Sequence, residues 1–447
     1  MPPMPLDRRA LLTGSAVAAV VPAAATAAPP AQGFEAVQFG VRPGAPDDQT
    51  ARLQRAIDAA ARARRPLTLA PGHYRAGALR LPAGAQIVGV RGATHLTLTH
   101  GPSLLSCDGG EDITLSGLTL DGGKLPLPAN HGLVHLAQVK RLRIADCVIA
   151  NAGGNAIALE GCDGIVEANT LTDTADNALF CNDSRGLVIR GNVLRGAGNG
   201  GIRVWQSTKG DDGSIVADNT IEDIGARAGG TGQNGNGVNV FRAANVIVRN
   251  NVIRRCAFSA VRGNAASNLQ ILGNTCGAIG EVALYAEFDF EGAVIANNTV
   301  DGAALGVVCT NFNDGGRLAV VQGNLIRRLT PRRPQGGPDA AGVGIAVEAD
   351  AAVTGNVIED APSMGISVGA GKYMRDVSVS GNVVRRAAVG IGVSVTPGAG
   401  GAAVTGNMIA DCPAAIAGME WDKVASADLV RDAARYPQVT VAGNQVR

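Results

Sequence analysis

An asparagine recurs at nearly regular intervals through most of this 447-residue sequence. It stands in short segments such as EANTL, RGNVL and ADNTI, in which an apolar residue follows two positions later. The recurring residues are Asn169, Asn192, Asn219, Asn251, Asn274, Asn298, Asn324, Asn356, Asn382, Asn407 and Asn444. Most intervals are 23 to 27 residues long, and two are 32. A repeat of this length predicts a solenoid of stacked units.

Each unit contains two or three short strands, such as GIRV, SIVAD and NTIED, joined at Gly, Asn or Asp, which tolerate positive φ. No unit has room for a helix, and Val and Ile stand where a leucine-rich repeat would place Leu. Equivalent residues of parallel strands stack at ~4.8 Å, so the asparagines are predicted to hydrogen-bond to the backbone and to each other. Asp146 in ADCVI is predicted to hold the same position one turn earlier.

The two ends of the sequence differ from the repeats. In segment 34–100, Asp48 is predicted to cap a helix that runs to Ala63 and buries one apolar face. The residues of that face are Leu53, Ala56, Ile57 and Ala60. A second helix is predicted within 420–436. Such caps would protect the open ends of a strand coil.

The first 27 residues are predicted to be a cleaved export signal. Arg8 and Arg9 precede an Ala- and Val-rich run and a small-residue cleavage site at 25–27. The paired arginines indicate the twin-arginine translocase as the export partner, and therefore a periplasmic or secreted protein. No later stretch reaches the ~20 apolar residues of a membrane span, so residues 28–447 are predicted to form one domain outside the membrane.

The opening FGV…DDQTARLQRAIDAAA…LTLAPGHY is similar to the N-terminal cap of pectin-lyase-like right-handed parallel β-helices. The whole chain resembles the twin-arginine-translocated repetitive β-helix proteins. The resemblance implies an all-β parallel β-helix of about 11 to 12 rungs, with an N-terminal capping helix and a short C-terminal helix. It does not imply an activity, because this superfamily includes lyases, hydrolases, epimerases, esterases and adhesins. The characteristic motifs of polygalacturonases and mannuronan epimerases are absent.

The charge balance and the spacing of the cysteines bear on the binding partners and on the state of the thiols. Lys plus Arg number 39 and Asp plus Glu number 38, so no overall field favours nucleic acid or a membrane surface. The eight cysteines are scattered among the repeats without a CxxC pair, and are predicted to be buried free thiols.

One face of the coil carries unusual side chains. Aligned strands such as GIRVWQ and GVNVFR place alternate residues towards solvent. The outward residues of five successive strands are Phe180 and Asn182, Arg203 and Trp205, Asn239 and Phe241, Arg262 and Asn264, and Tyr285 and Glu287. Cations and amides in a row suit the carboxylates or sulfates of an acidic polysaccharide, and aromatic rings suit its sugars. The alternative is a ladder that only covers the coil.

Three insertions are predicted to wall a groove over these rungs. Segments 225–237 and 330–342 fall at one corner of the coil, and 207–213, which includes Lys209, falls at the other. The predicted substrate-binding residues are Phe180, Asn182, Trp205, Phe241, Arg242, Asn264 and Lys209.

The favoured chemistry is β-elimination on a uronic acid, which needs a carboxylate neutraliser and a base. Asn239 and Arg203 are the predicted neutralisers, and Arg262 or Tyr285 the predicted base. Hydrolysis would instead need two carboxyl groups about 5–9.5 Å apart. The predicted pairs join Glu287 to Asp289, Asp183 or Asp212. Epimerisation and binding without catalysis stay open.

No cofactor is predicted. A calcium site would draw on Asp211, Asp212 and Glu287. The five histidines all precede this region and are predicted to be structural and away from the face.

Overall fold

The computed structural model describes residues 33–230, 232–310, 315–331 and 341–447, so the predicted export signal lies outside them. The chain forms a right-handed parallel β-solenoid of about 13 turns. This confirms the predicted fold and corrects the count of 11 to 12 rungs, because strands within 34–100 already belong to the coil. No helix in the described part is long and apolar enough to cross a membrane.

A typical turn contributes one strand to a first sheet and either two strands or one long continuous strand to a second. The 16 strands of the first sheet are Phe34–Glu35, Leu67–Thr68, Gln86–Val88, Thr114–Ser116, Leu142–Ala145, Gly164–Glu167, Val188–Arg190, Ile215–Ala217, Ile247–Arg249, Leu269–Leu272, Glu291–Ala296, Arg317–Gln322, Ala349–Thr354, Arg375–Ser380, Ala402–Thr405 and Val439–Ala442.

The second sheet has 26 strands. They are Gly72–Ala76, Leu79–Arg80, Thr94–Leu98, Leu105–Glu111, Thr119–Asp121, Gly132–Lys140, Val148–Ala150, Asn155–Glu160, Thr170–Thr172, Asn177–Asn182, Val193–Arg195, Gly200–Asp211, Thr220–Ile224, Asn236–Ala244, Val252–Cys256, Val261–Asn264, Thr275–Glu287, Thr299–Thr310, Leu325–Arg327, Val343–Val347, Val357–Val368, Val383–Ser394, Met408–Ala410, Ala414–Glu420, Lys423–Ser426 and Gln445–Val446.

The recurring asparagines form a continuous ladder between the first sheet and the strand that follows each of them. The Oδ1 of each accepts hydrogen bonds from the backbone N–H and from Nδ2 of the preceding asparagine, at 2.9–3.0 Å. Each Nδ2 also donates to a backbone carbonyl, as Asn169 does to Ile144. The predicted structural role is confirmed.

The ladder position one turn earlier belongs to Cys147 and not to Asp146. The backbone N–H of Cys147 donates to Oδ1 of Asn169 at 3.0 Å. Asp146 has φ +55°, the left-handed conformation that the residue before each ladder position adopts. Asp tolerates that conformation well, which explains its presence at this neighbouring position.

The N-terminal helix spans Thr50–Arg62, and the four predicted apolar residues are buried against the first turns. Asp48 Oδ1 accepts a hydrogen bond from the Thr50 N–H at 2.9 Å, although the residue at the N-cap itself is Gln49. The prediction is therefore confirmed to within two residues.

The predicted C-terminal helix is wrong. Within 420–436 the chain turns at Trp421, where φ is +56°, and Lys423–Ser426 pairs antiparallel with Ala414–Glu420. A single 3-10 turn, Ala433–Arg435, follows. Two further 3-10 turns are Ala36–Phe39 and Gly371–Tyr373. Pairing with an edge strand overrides a weak helical pattern, because tertiary contacts outweigh propensity.

Val, Ile, Leu and Ala fill the interior of the coil, and the cysteines join them. All eight cysteines are free; seven are buried and Cys412 is half-buried. The prediction of buried free thiols is thus confirmed for seven of them.

Candidate functional site

The predicted register of the unusual face is confirmed. We call the strands that carry it, from Leu105–Glu111 to Thr299–Thr310, the site face. Its first column of paired residues is Phe180, Arg203, Asn239, Arg262 and Tyr285, and its second is Asn182, Trp205, Phe241, Asn264 and Glu287. Period-two alternation thus sends both columns out of the core.

Most of the polar residues in these columns are nevertheless buried, which corrects the expectation that they face solvent. The exposed fraction is 8% for Arg203, 7% for Arg262 and 1% for Glu287. The loop between Ile224 and Asn236 covers the columns: Asn234 Oδ1 accepts from Arg203 Nη2 at 2.6 Å. A loop that crosses the face supplies the burial that strand alternation alone does not predict.

Arg262 forms a closed charge cluster. Its Nε and Nη2 donate to the two carboxylate oxygens of Glu287 at 2.6 and 2.8 Å, and Asn264 Nδ2 donates to the same carboxylate at 2.8 Å. Glu281 Oε2 lies 3.5 Å from Arg262 Nη1. Glu281 was not predicted, because it lies within a register shift between Ile279 and Val282 that displaces it from the aligned strand. The guanidinium is therefore neutralised from two sides.

Arg203 has a different environment. Its Cζ lies 5.0 Å from the centre of the Trp205 ring, and its hydrogen-bond partner Asn234 is neutral. Burial lowers the pKa of Arg203, although nearby Asp176 opposes the shift. A buried guanidinium with an unpaired Nε retains the capacity to donate.

Tyr285 is a poor proton acceptor in this structure. Burial, together with the neighbouring Glu287 carboxylate, raises its pKa to about 12. Its hydroxyl lies 3.3 Å from Thr310 Oγ1, and Arg262 Cζ lies 5.0 Å from its ring centre. The phenol therefore stays protonated at neutral pH.

A groove lies over the second column. Two pockets of about 540 Å³ and about 670 Å³ share Phe241, Asn264 and Phe288 as lining residues. The first also contacts Trp205, and the second contacts Arg242. Phe288 was missed because AEFDFEG resembles a turn. It is 41% exposed and has φ +51°, which turns its ring to the surface.

The floor of this groove is a row of aromatic rings. The Trp205 ring centre lies 5.6 Å from that of Phe180 and 5.5 Å from that of Phe241. Trp205 Nε1 donates to Asn239 Oδ1 at 2.7 Å, and Asn239 Nδ2 donates to the Gly232 carbonyl at 2.8 Å. These hydrogen bonds fix the indole plane.

Two exposed cations stand at the rim. Arg242 Cζ lies 4.8 Å from the Phe241 ring centre, and Arg242 Nη1 donates to the Ser207 carbonyl at 3.0 Å. Lys209 Nζ lies 2.9 Å from Asp289 Oδ2. The predicted insertion 207–213 thus forms this rim, partly as an extension of the strand Gly200–Asp211.

The carboxylates proposed as partners of Glu287 are each held by other groups. Asp183 accepts from the Ser207 N–H and hydroxyl, both at 2.7 Å. Asp212 accepts from Gln206 at 2.8 Å, and burial raises its pKa. Asp289 pairs with Lys209.

The predicted calcium ligands are likewise held by other groups, since Asp211 accepts from Asn245 while Asp212 and Glu287 bind the partners given above. In the ranges that the structure describes, no group of three or more His, Cys, Asp or Glu side chains could hold a metal ion.

One histidine was misplaced by the sequence analysis. His135 pairs through Ala158 with Phe180, so it lies in the first column of the site face. Its ring stacks on that of His131 at 4.2 Å, and burial, with His131, lowers the pKa of His135. The strand Gly132–Lys140 pairs directly with Asn155–Glu160, so the face begins earlier than predicted.

The corner loops agree with the prediction where they are described. The loop of 225–235 precedes the strand Asn236–Ala244. Of the predicted insertion 330–342, residues 341–342 directly precede Val343–Val347, and 332–340 lie outside the described residues. A further loop at this corner, 122–131, was missed.

Comparisons with solved structures place this fold among known β-helices. The chain is similar to PfbA, a surface adhesin of Streptococcus pneumoniae, at 13% identity and a TM-score of 0.51, covering 87% of this chain and 91% of that one. It is similar to the pre-mature gene product 12 of bacteriophage phi29 at 14% identity and a TM-score of 0.54, covering 84% of this chain and 52% of that one.

The A-module of the mannuronan C-5 epimerase AlgE6 of Azotobacter vinelandii matches at 14% identity and a TM-score of 0.45, covering 93% and 99% of the two chains. No curated protein sequence matches the chain. These likenesses concern the fold.

The sequence itself matches the family described as right handed beta helix region over residues 97–221 and 208–409. These segments span well over half of the 447 residues, and the parallel coil agrees with them. The chain therefore belongs to the right-handed β-helix family.

Proposed function

We propose that this chain binds an extended acidic polysaccharide in the groove of the site face. The observation that carries the proposal is the row of Trp205, Phe241 and Phe288 along two adjoining pockets, with the exposed cation Arg242 at the rim. Flat apolar faces suit sugar rings, and an exposed guanidinium suits a carboxylate or sulfate. Two pockets in line suit a chain of several sugars better than a single small molecule.

Binding is the part of the proposal that the geometry supports best. β-Elimination remains our proposal for the chemistry, but the contacts and the pKa values of its predicted bases limit their ability to accept a proton. Arg262 is paired with Glu287, and Tyr285 has a raised pKa. Arg203 with Asn239 remains the proposed neutraliser of the substrate carboxylate. Catalysis along this route requires the covering loop near Asn234 to admit the substrate to these groups.

The proposal includes export by the twin-arginine route, which would bring the groove to the polysaccharides of the cell envelope or the surroundings. Cell fractionation with and without an Arg8→Lys, Arg9→Lys substitution tests this part alone. Retention of the unchanged protein in the cytoplasm would contradict it.

The main experiment measures binding and cleavage together. The protein without residues 1–27 is incubated with a panel of acidic and neutral polysaccharides. Calorimetry measures binding, while reducing ends and the ultraviolet absorbance of unsaturated products measure cleavage. We expect binding to an acidic polysaccharide, with affinity that falls as salt rises.

Matched variants locate the site. Phe288→Ala and Arg242→Ala should each weaken binding roughly tenfold, or ~1.4 kcal/mol. The controls are Leu318→Ala and Arg249→Ala, which change exposed residues on the first sheet. Equal losses in the controls, or no binding to any polysaccharide, would contradict the proposal. Binding with unsaturated ends would support elimination and make Tyr285→Phe the next variant, whereas binding without cleavage would limit the function to recognition.

A further inference from the structure

A second concave site lies beyond the site face, on the same side of the coil and towards the C-terminus. Its volume is about 720 Å³, and we call it the C-terminal pocket. Its apolar walls are Val343, Met364, Val389, Met419, Trp421 and Val424. The column that contains Tyr285 continues through Val308, Ala346 and Ser367 to its floor. The sequence does not single out this part of the coil, because the walls come from outside the column.

A hairpin near the C-terminal end of the coil supplies three of these walls, Met419, Trp421 and Val424. The hairpin of Ala414–Glu420 and Lys423–Ser426 carries Trp421, which is 53% exposed. The indole lies directly on Gly371, where an added Cβ would stand 2.4 Å from ring atoms. The Tyr373 ring meets Trp421 edge-on, with the centres 6.3 Å apart. Trp421 is therefore held in place as one side of the pocket.

Small residues line the pocket between these walls: Ser367, Gly369, Ala370 and Gly371. A Cβ on Gly392 would lie 2.7 Å from Met364 Sδ and 3.0 Å from Met419 Cγ, so the two methionines cover a glycine. Met side chains are flexible and polarizable, and they adapt to ligands of varied shape. Pockets of this size with mostly apolar walls and few polar groups are typical of small-ligand sites.

The charge and shape of the pocket restrict its ligand. The ionisable lining residue is Asp422, a carboxylate, which disfavours an anionic group. An apolar cluster that includes Leu305, Val308 and Val343, with Met364 packed against it, leads from Tyr285 towards the pocket. These cluster residues are buried, so the open apolar surface is that of the pocket itself, and it differs from the cationic rim at Arg242.

We propose that the C-terminal pocket binds the alkyl or acyl chain of an amphiphilic ligand, such as a lipid-linked or acylated sugar. The chain would lie between Trp421 and the two methionines, and its uncharged polar head would face solvent beside Asp422. This inference goes beyond polysaccharide binding in the groove and does not depend on it. The two sites are separable, because the only two tryptophans, Trp205 and Trp421, stand one in each.

The test uses Trp205→Phe, in which Trp421 is the sole tryptophan. The probes are hexyl, heptyl and octyl glucosides below their micelle concentrations, with glucose as the head-group control. We expect a saturable change in Trp421 fluorescence, tightening up to about fourfold for each added methylene group, and none with glucose. A response to glucose alone, or affinities that do not rise with chain length, would overturn the proposal.

Two matched variants exclude non-specific adsorption. Val424→Asp adds a charge to the wall at a residue that is 51% exposed, and Val90→Asp makes the same change at a distant residue that is 52% exposed. Binding should fall at least tenfold in the first and stay unchanged in the second. Calorimetry with octyl glucoside on the otherwise unchanged chain and on Val424→Asp gives the same comparison without the Trp205 substitution. Equal binding by both Asp variants would overturn the proposal, and a polysaccharide result in the groove would not alter that outcome.

Discussion

At the scale of single residues, the paired charges of Arg262 and Glu287 are the most consequential contact of the site face. Both side chains are buried, and their bidentate geometry satisfies the carboxylate together with Asn264. A buried pair contributes little net stability, but removing one partner leaves the other charged and without compensation. The pair is thus a constraint on what can replace either residue.

Arg262→Ala should lower the free energy of unfolding by roughly 3–5 kcal/mol, because Glu287 would remain buried and uncompensated. Urea unfolding followed by circular dichroism measures this loss. The control is Arg317→Ala, which breaks an exposed pair with Glu291 and should cost less than about 1 kcal/mol. Similar midpoints for both variants would show that the Arg262 cluster is not structurally important.

The direction in which the side chains of the site face point could be predicted from the sequence, but their burial could not. The alternation of apolar and polar residues in GIRVWQ indicates which side chains point away from the core, because side chains of a strand alternate between its two faces. It carried no information about what covers them, because the path of a glycine-rich loop depends on contacts such as Asn234 with Arg203. Glu281 was missed for a related reason: a bulge moves it outside the aligned segment.

At the scale of elements, the asparagine ladder joins successive turns. Asn274 illustrates this, since it accepts from the backbone N–H and the amide of Asn251 and donates to Asn298. The even spacing of the asparagines made this element predictable. The C-terminal hairpin was not predictable, because its pairing partner lies in a strand whose edge is visible only after folding.

Asn274→Ala should destabilise the coil by about 1–3 kcal/mol, because the buried N–H of Asn251 loses its acceptor. The midpoint of urea unfolding reports the loss. Asn444→Ala, at the half-buried end of the ladder, should cost less, since water can replace the lost acceptor. The ladder would have no stabilising role if neither variant shifted the midpoint.

The covering loop depends on Gly235, which has φ +74° and would place a Cβ 2.3 Å from Phe258 Cδ2. Gly235→Ala should therefore loosen the loop and speed tryptic cleavage after Arg227, with the core intact. Gly213→Ala is the control, since its φ is +71° but a Cβ there meets nothing within 4 Å. Unchanged cleavage in Gly235→Ala would mean that the loop is held by other contacts.

At the scale of the whole molecule, the interior excludes solvent along its length, and the cysteines report on this. Burial raises the pKa of Cys276 and of Cys309 to about 12. Since the thiolate is the reactive form, a raised pKa lowers reactivity at neutral pH. The scattering of cysteines without a CxxC pair was sufficient to predict this state.

The folded protein near pH 8, roughly the unperturbed thiol pKa, should react with a thiol reagent at one cysteine at most, Cys412. All eight should react after denaturation. Reactivity of the folded protein should stay low at neutral pH and rise as the pH increases towards the raised thiol pKa values. Rapid modification of several thiols in the folded state would show that the coil opens to solvent.

The asparagine ladder also gives the solenoid a dipole along its axis. Each side-chain amide donates towards the next asparagine along the sequence, from Asn169 to Asn444, so their dipoles are aligned with the solenoid axis and reinforce each other. Parallel strands alone would make the two ends of the solenoid chemically different. The aligned amide dipoles of the ladder give these ends partial charges of opposite sign. Two such rods laid head to tail would continue this polarity, whereas two laid head to head would oppose it.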